Sequence, residues 1–541
     1  MTGECFNVHE ASTANAALGE AIAGSSGSTK TVACLHRSAL ELGTAVFAPM
    51  AGECPQPKGE AQQKEQPADR SVVVGDGRAD HMAKGPAVEQ SEQRTHAGIR
   101  TTPVQSVSRA LLALSDKAKR ESGYRFRGLG RLISLPMLHE CYQSLRKQAA
   151  SGVDEVSWHD YGEGLSEKLE KLHERLRTGR YRAHLVRRKY IPKADGKRRP
   201  LGIPALEDKI VQKAVARILE AIYEPDFLEC SAGYRPGRGA RAASQQLQHE
   251  LYHSRVGWIV EADIKGFFDH VDHDWLSRMI EQRCNDRGFV RLIRKWLRAG
   301  VLEEDGQVLH PATGTPQGGI VSPVLANIYL HYVLDLWMER VVRKANRGQM
   351  VYLRYADDFV IGFEQAEDAQ ACFAKLPARL TKFGLTLAAD KSGIHRFHRQ
   401  GGIESKKFVF LGFDFYWSKT RETKPTLRRR TNAKKFRSSI ATLKEWLQKH
   451  RHERLRTVAV RLRQSLQGHY NYYGVIGNAT RLGTYWIAVQ KLCYSWLNRR
   501  SQRRSYNWTG FREMWHSLCL PPPRVTERPY LPPGSHPCFS F

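Results

Sequence analysis

Two adjacent carboxylates, Asp357 and Asp358, stand where the chain is expected to turn. The runs Val351–Arg354 and Phe359–Phe363 flank them and are rich in β-branched and aromatic residues, a composition typical of strands. The segment Tyr355–Asp358 is therefore predicted to be the tip of a β-hairpin. Paired carboxylates there offer the hard oxygen ligands that suit Mg²⁺. Water molecules and substrate phosphates complete the coordination of such an ion.

A third carboxylate, Asp263, closes the apolar stretch Trp258–Ala262, which is typical of a buried strand. An acid in this position is either a surface residue at a strand end or needs a partner or a metal, because burying an unpaired charge is costly. Asp263 lies 94 positions before Asp357. Only a fold that lays the two strands side by side would unite these acids.

Between these acids lies the segment Gly314–Pro323, rich in Gly and Pro. Its glycines allow the backbone to approach a ligand closely, and the amide of Gln317 can both donate and accept hydrogen bonds. The apolar run Val324–Tyr329 follows. We expect a loop that leads into a helix.

Strand and helix patterns alternate up to Phe415, which predicts an α+β body. A basic hairpin is expected from Arg187 to Pro204, with Ala194–Lys197 as its turn, and a long amphipathic helix from Glu207 to Tyr223. Beyond Arg421 the pattern is almost wholly helical. The helices expected there are Lys434–Arg451, Glu453–Leu466 and Arg481–Arg499.

The charge of the chain is unevenly distributed. The protein has 84 Lys and Arg residues against 55 Asp and Glu, a net charge of +29. Residues 1–100 carry 9 basic and 12 acidic residues, whereas residues 418–541 carry 25 basic residues, five Glu and no Asp. Such a concentrated basic segment favours a polyanion as partner, either nucleic acid or an anionic membrane.

The remaining composition favours nucleic acid over membrane. No run of 18 apolar residues occurs, so a transmembrane helix is not expected, and the first residues lack the layout of a signal peptide. The ten Cys form no C-x-x-C pair, which fits a reducing compartment. We therefore expect a cytoplasmic protein associated with nucleoid or ribonucleoprotein, without membrane contact.

Eight motifs occur in an order that resembles the reverse transcriptases and maturases encoded by bacterial group II introns. These motifs extend from Ser151 to Phe413, and the resemblance continues into the basic C-terminal region. The motifs are Ser151–Asp154, Ile191–Pro204, Gly233–Arg238, Asp263–Asp269, Thr315–Pro323, Tyr355–Asp358, Asp390–Ser392 and Phe410–Phe413.

This resemblance implies an α+β right-hand polymerase, with fingers and palm followed by a helical thumb. The composition of residues 1–100 also predicts a disordered extension. The expected divisions are an N-terminal element and fingers at 101–257, a palm at 258–417, a helical thumb or maturase domain at 418–520 and a Pro-rich tail, expected as loop, at 521–541.

The resemblance also implies roles for the acidic residues. Asp263, Asp357 and Asp358 would hold two Mg²⁺ ions, with Mn²⁺ as the alternative metal. One ion would activate the hydroxyl of a primer and the other would stabilise the leaving pyrophosphate.

Five residues correspond to nucleotide contacts of the family. Lys193 and Arg199 would contact the triphosphate of a dNTP, Ile264 would lie beside the nucleotide, and Gln317 would line the templating site. Phe268 would stack against the sugar and exclude a 2′-hydroxyl, so that dNTPs are selected; otherwise it is a residue of the apolar core.

The basic segment resembles the region of the family that binds intron RNA and the template–primer duplex. No His-Asn-His string with paired Cys follows Trp508, so no endonuclease activity is expected. The cations expected to bind RNA, at helical spacing, are Arg428, Arg429, Arg430, Lys434, Lys435, Arg437, Arg461 and Arg463.

Three functions remain open from the sequence. The leading hypothesis is an RNA-directed DNA polymerase that also acts as splicing maturase for its own intron. A splicing factor with a relic active site is the second, and a domesticated polymerase serving DNA repair or defence is the third. The oligomeric state, monomer or homodimer, is also open.

Overall fold

The computed structural model describes residues 103–530 apart from 193–197, 400–404 and 504, and describes side chains from Val107 onward. The expected extension at 1–100, the turn Ala194–Lys197 with Lys193 before it, and the tail beyond Tyr530 lie outside the described residues. No helix in the described part of the chain is long and apolar enough to span a membrane.

The described residues form helices and short strands in alternation up to Thr431, and helices thereafter. The strands are β1 (Val186–Pro192), β2 (Arg198–Ile203), β3 (Trp258–Ala262), β4 (Val301–Leu302), β5 (Val308–Leu309), β6 (Met350–Tyr355), β7 (Asp358–Phe363), β8 (Gly393–Arg396), β9 (Phe408–Phe410), β10 (Phe413–Lys419) and β11 (Pro425–Thr431).

The helices vary from single turns to five turns. They are α1 (Pro103–Arg120), α2 (Leu135–Gln143), α3 (Trp158–Gly162), α4 (Leu165–Arg177), α5 (Leu206–Tyr223), α6 (Ala240–His253), α7 (His273–Glu281), α8 (Arg287–Leu297), α9 (Ser322–Leu330), α10 (Arg343–Ala345), α11 (Ala366–Thr381), α12 (Ala433–His450), α13 (Leu455–Tyr473), α14 (Ala479–Leu497) and α15 (Trp508–Ser517). Two π-helical segments, His331–Asp335 and Met338–Val342, connect α9 to α10.

The central sheet is antiparallel, in the order β6-β7-β3-β8. Its two faces are both buried. Tyr352 and Ile361 face one apolar core with residues of α5, α7, α9 and α11, while Val351 and Val360 face a second core with α6 and the strands β9–β11. Burial on both faces explains why these strands are continuous apolar runs without polar alternation.

A second sheet, in the order β2-β1-β4-β5, carries the basic hairpin. β1 and β2 pair antiparallel from Arg187 opposite Ile203 to Pro192 opposite Arg198, so the predicted hairpin is confirmed. The helix α5 after it is also confirmed as amphipathic, with a narrow polar face. Thirteen of its 18 residues are buried, because α1, α2 and α9 pack around it.

The third sheet, β9-β10-β11, corrects the expectation of helices beyond Arg421. β11 pairs with β10 over seven positions, from Pro425 opposite Lys419 to Thr431 opposite Phe413. Leu427, Arg429 and Thr431 are buried, an alternation with the period of a strand. The boundary expected between residues 417 and 418 falls inside this hairpin.

The helices expected in the basic segment are confirmed as α12, α13 and α14. The helix α15 was missed, although the sequence carries a signal for it. Asn507 accepts a hydrogen bond from the Gly510 amide, 2.8 Å away, and so caps the helix. Phe511 and Trp515 follow at helical spacing and are buried in the core that α12–α15 share.

The prediction that Arg429 binds RNA is wrong, because its side chain is enclosed. Its guanidinium is 0% exposed and lies 2.8 Å from the Glu527 carboxylate, which is 2% exposed. It also donates to the side chains of Gln248 and Ser244 on α6, each at 2.7 Å. With its donors engaged inside the protein, Arg429 joins β11, α6 and the tail.

The stretch Arg524–Tyr530, called the C-terminal strap below, has no regular structure but is attached at several points. Thr526 accepts a hydrogen bond from Arg241 of α6 at 2.7 Å, and its amide donates to Gly474 after α13 at 2.8 Å. Gln245 of α6 donates to the Arg528 carbonyl at 2.7 Å. The strap therefore connects the helical segment to α6.

The buried pair in the strap predicts a stability effect. Replacing Glu527 by Ala leaves the Arg429 guanidinium unpaired in the interior, and removing one partner of a buried pair costs about 3–5 kcal/mol. Thermal and urea unfolding should show this loss. Glu422→Ala is the control, because its pair with Lys424 is about three-quarters exposed and should leave stability unchanged. Equal unfolding curves for Glu527→Ala and wild type would contradict the prediction.

Candidate active site

The hairpin predicted at Tyr355–Asp358 is confirmed. β6 and β7 pair antiparallel and end with Tyr355 opposite Asp358. Ala356 has a φ of 58°, a left-handed conformation that is unfavourable for a residue with a side chain. The tight turn presents Asp357 and Asp358 at the edge of the central sheet.

The third acid reaches the same edge through strand pairing. β3 pairs antiparallel with β7, and the last pair joins Ala262 to Phe359. Asp263 follows Ala262 and Asp358 precedes Phe359, so these two acids occupy the next pair of opposed positions. The expectation that these strands lie side by side is therefore confirmed.

Burial and the crowding of carboxylates change the acidity of the turn. Burial, followed by repulsion from Asp357 and Asp263, raises the pKa of Asp358 to about 7. Its side chain is nevertheless open to solvent on one side, and this water screens part of the repulsion. Burial and the charge of Asp263 also raise the pKa of Asp357, while Arg199 and Arg354 act in the opposite direction.

Lys391 supplies the nearest counter-charge. Its Nζ lies 2.6 Å from Oδ2 of Asp263, and its charge also lowers the pKa of Asp358. The same segment braces the backbone of Asp263, because the Asp263 carbonyl accepts a hydrogen bond from the Ala388 amide at 2.8 Å. Lys391 lies in a motif that the sequence singled out without assigning a role.

The donor set fits a hard divalent cation in kind. Carboxylate oxygens are the ligands that Mg²⁺ prefers, and the raised pKa values mark carboxylates whose negative charges are not fully compensated. Among the described side chains, no three His, Cys, Asp or Glu are already arranged around a common point. Asp263, Asp357 and Asp358 are the carboxylates at this edge that would hold such a cation.

A buried ion pair supports the turn from below. Arg354 and Asp335 are both 0% exposed, with Nη2 of Arg354 2.5 Å from Oδ2 of Asp335. Nη1 of Arg354 also donates to the carbonyl of Ala356, at 3.0 Å. The sequence signal for this support was an arginine inside an otherwise apolar strand, and its role was not foreseen.

Gly233 lies directly against the acidic turn. A Cβ at this position would be 2.2 Å from the Ala356 amide nitrogen, so any side chain would displace the turn. The Gly233 carbonyl accepts a hydrogen bond from Asn327 of α9 at 2.7 Å, and Asn327 in turn accepts one from Arg354 at 3.1 Å. The turn, α9 and the segment before α6 therefore form one hydrogen-bonded unit.

Two predicted nucleotide contacts, Arg199 and Gln317, are in direct contact with each other. Nε of Arg199 donates to Oε1 of Gln317 at 2.8 Å, and the Gln317 carbonyl accepts from the Gly202 amide at 2.6 Å. Gly318 has a φ of 115°, and a Cβ there would lie 2.6 Å from the Gly202 oxygen. The predicted loop and the helix α9 after it are both confirmed. The loop can pack against β2 only because residue 318 is a glycine.

Phe268 and Ile264 are both buried. The Phe268 side chain is 7% exposed, and its carbonyl accepts a hydrogen bond from the Thr315 amide at 2.7 Å. Ile264 is 2% exposed and belongs to the apolar core. The prediction of a nucleotide contact through the Ile264 side chain is corrected, because packing leaves it almost no accessible surface.

The predicted RNA-binding cations fall into separate environments. The Arg430 guanidinium stacks on Tyr416, 4.6 Å from the ring centroid, and lies 3.5 Å from Asp414. Arg429 is buried, as described above, and Arg428 is half-buried on β11. The exposed cations are Lys434, Lys435 and Arg437 on α12 and Arg461 and Arg463 on α13.

Comparison with known proteins identifies the family. Residues 191–415 match the family model described as reverse transcriptase (RNA-dependent DNA polymerase). The chain is 31% identical to the group II intron-encoded protein LtrA of Lactococcus lactis, over 67% of this chain and 72% of LtrA. It is 34% identical to protein YkfC of Escherichia coli, over 46% of this chain and 73% of YkfC.

A shorter match, 30% identical, covers 24% of this chain and 16% of nuclear intron maturase 4 of Arabidopsis thaliana. The chain belongs to the family of group II intron-encoded reverse transcriptases and maturases. Its enzyme class is RNA-directed DNA polymerase, and its partner is nucleic acid.

The raised pKa of Asp358 predicts a pH-dependent stability. The unfolded carboxyl ionises near pH 4, but the folded one near pH 7. Between these values the folded form binds more protons, so this contribution to stability falls as pH rises and stays at its lower level above pH 7. With divalent cations chelated, Asp358→Asn should therefore melt at a higher temperature than wild type at pH 8. The difference should shrink at pH 5, and a constant difference would contradict the assignment.

Proposed function

We propose that the protein adds dNTPs to a primer on an RNA template, and that Asp263, Asp357 and Asp358 hold two Mg²⁺ ions, or Mn²⁺, for this reaction. The observation that carries the proposal is the pairing of β3 with β7, which brings three mutually repelling carboxylates to one sheet edge. Reverse transcriptases generally depend on divalent metal ions.

The metals, when bound, would activate the primer hydroxyl and neutralise the leaving pyrophosphate. The chain's own residues hold and orient the reactants. Arg199 is positioned by Gln317 and acts electrostatically on Asp357, which supports a contact between its guanidinium and the triphosphate next to the metals. Lys193 is proposed for the same role because of the family motif, and Gln317 for the templating site.

Phe268 is proposed to select the sugar. It follows Asp263 by five residues, and its backbone is hydrogen-bonded to Thr315 of the loop that carries Gln317. Its ring also packs on Phe267, with 5.2 Å between ring centroids. A rigidly packed ring cannot move aside for a 2′-hydroxyl, which supports discrimination between dNTPs and NTPs.

The segment after the third sheet is proposed to act as thumb and to bind the intron RNA as a splicing maturase. Its exposed cations on α12 and α13 support electrostatic binding of phosphates, and Lys435 is close enough to lower the pKa of Asp358. We assign residues 101–257 to the N-terminal element and fingers. The palm begins at residue 258 and includes β11, so that the thumb begins with α12.

The intact site argues against a relic. All three carboxylates are present, and the buried Arg354–Asp335 pair that supports them is complete. A splicing factor without catalysis would have no need to hold Asp263 and Asp357 beside Asp358, where their charges raise its pKa. A polymerase domesticated for repair or defence would use the same chemistry. The DNA that flanks the gene would distinguish it from an intron-encoded enzyme.

The catalytic proposal is tested by primer extension on an RNA template with dNTPs and Mg²⁺. Asp357→Asn removes a charged metal ligand without changing the volume of the side chain, and should abolish extension. Asp274→Asn, at an exposed acid on α7, is the matched control and should extend like wild type. Lack of extension by the wild-type protein, or full extension by Asp357→Asn, would contradict the proposal.

The RNA-binding proposal is tested by the salt dependence of RNA affinity. Each lost phosphate contact reduces the slope of log K against log salt by about 1, so Lys434→Ala combined with Arg437→Ala should reduce it by about 2. Lys375→Ala combined with Lys382→Ala removes two exposed lysines at α11 and serves as control. Equal slopes for both double variants would contradict the assignment to α12.

A further inference from the structure

A cavity of about 770 Å³ lies between the 3₁₀ turn Leu129–Leu132, the C-terminal end of α4 and the helix α8. None of the residues that line it belongs to the acidic edge or to the basic segment at 418–541. Its size is within the range of ligand sites in proteins. The proposed polymerase function leaves this cavity without a role.

Hydrogen bonds join α8 to both of the other walls. The Asp286 carboxylate, which caps α8, accepts from the amides of Gly130 at 3.1 Å and Phe289 at 3.0 Å. Nζ of Lys295 donates to the Gly179 carbonyl after α4 at 3.1 Å. Because the three walls are connected directly, the cavity has a defined shape that belongs to the fold.

The lining of the cavity carries an excess of positive charge. Among the residues that line it, Asp286 is the one carboxylate, and its oxygens are occupied by the two amides. No ion pair connects Arg131, Arg287 or Arg291 to a carboxylate in the described part of the chain. The basic side chains of the lining are Arg131, His173, Arg177, Arg287, Arg291 and Lys295.

The surroundings strengthen the effect of these charges. Buried side chains of Ile133, Tyr181 and Phe289 also line the cavity, and such apolar surface screens charges less than water does. A concave wall with one sign of charge focuses the electric field into the cavity. Burial, followed by the charges of Arg291 and Arg182, lowers the pKa of Lys295. The cations therefore repel one another, and an anion between them would relieve the repulsion.

We propose that this cavity is a binding site for phosphate groups, with Arg287 and Arg291 as its principal contacts. The two arginines are four positions apart on α8 and therefore lie on the same face of the helix. A guanidinium suits this role because its planar donors form paired hydrogen bonds with phosphate oxygens. The phosphates would come from the backbone of a bound RNA or from a free nucleoside polyphosphate, which present the same chemistry. The site is independent of the proposed polymerase function.

The probe is inorganic tripolyphosphate, titrated into the full-length protein by calorimetry with divalent cations chelated. Arg287→Gln combined with Arg291→Gln should weaken its affinity at least about tenfold, the loss expected when hydrogen bonds to a charged group are removed. Tripolyphosphate should raise the melting temperature of wild type but not of this double variant, because a ligand of the folded state stabilises it. Without the anion both proteins should melt alike, since neither arginine has an ion-pair partner.

The control is Lys375→Gln combined with Lys382→Gln, which removes the same charge from two exposed positions at α11. This variant should bind tripolyphosphate like wild type. Equal weakening in both double variants would mean that only net charge matters and would overturn the inference. Wild-type affinity in the variant of Arg287 and Arg291 would also overturn it, as would the absence of tripolyphosphate binding by wild type.

Binding of an RNA hairpin distinguishes the two sources of phosphate. If the variant of Arg287 and Arg291 loses affinity for both the hairpin and tripolyphosphate, the cavity holds phosphates of the RNA backbone. If it loses affinity for tripolyphosphate alone, the cavity holds a free polyphosphate. In either case the variant of Lys375 and Lys382 should bind the hairpin like wild type.

Discussion

A fully buried ion pair, Arg354 with Asp335, is the interaction on which the acidic site depends. Both side chains are enclosed, and burying charges is favourable only when every donor finds an acceptor. Arg354 meets this condition by donating to Asp335, Asn327, Ser231 and the Ala356 carbonyl. The need to satisfy one guanidinium therefore fixes β6, α9 and the π-helical segment that carries Asp335 relative to the turn.

This rigid support allows the turn to hold charges that repel each other. Asp357 and Asp358 directly follow Ala356, whose backbone is left-handed. Burial and the charge of Asp263 destabilise their ionised carboxylates. In a flexible loop such acids would move apart into solvent. Held in place, they retain an unfavourable electrostatic energy that a divalent cation would relieve, and Lys391 relieves part of it by pairing with Asp263.

Arg429 and Glu527 form a second buried ion pair, which also holds separate segments of the chain together. It joins the third sheet and α6 to the C-terminal strap. Cations that look alike in the sequence thus lie in opposite environments. Arg429 is structural because its strand position points into the core, whereas Lys434 and Arg437 on the next helix remain exposed to solvent.

The sequence alone determined the local elements and the chemistry. The apolar runs around Asp357 predicted the hairpin, the basic Arg187–Pro204 segment predicted β1 and β2, and the ordered motifs indicated the family, because each signal lies within a few neighbouring residues. Only the tertiary structure decided which charged residues are buried. The partner of Arg354 is 19 positions away in the chain and that of Arg429 is 98 positions away, and no local pattern carries such information. Burial is set by what packs around a residue, so the support of the acidic turn and the role of the strap emerge only from the folded chain.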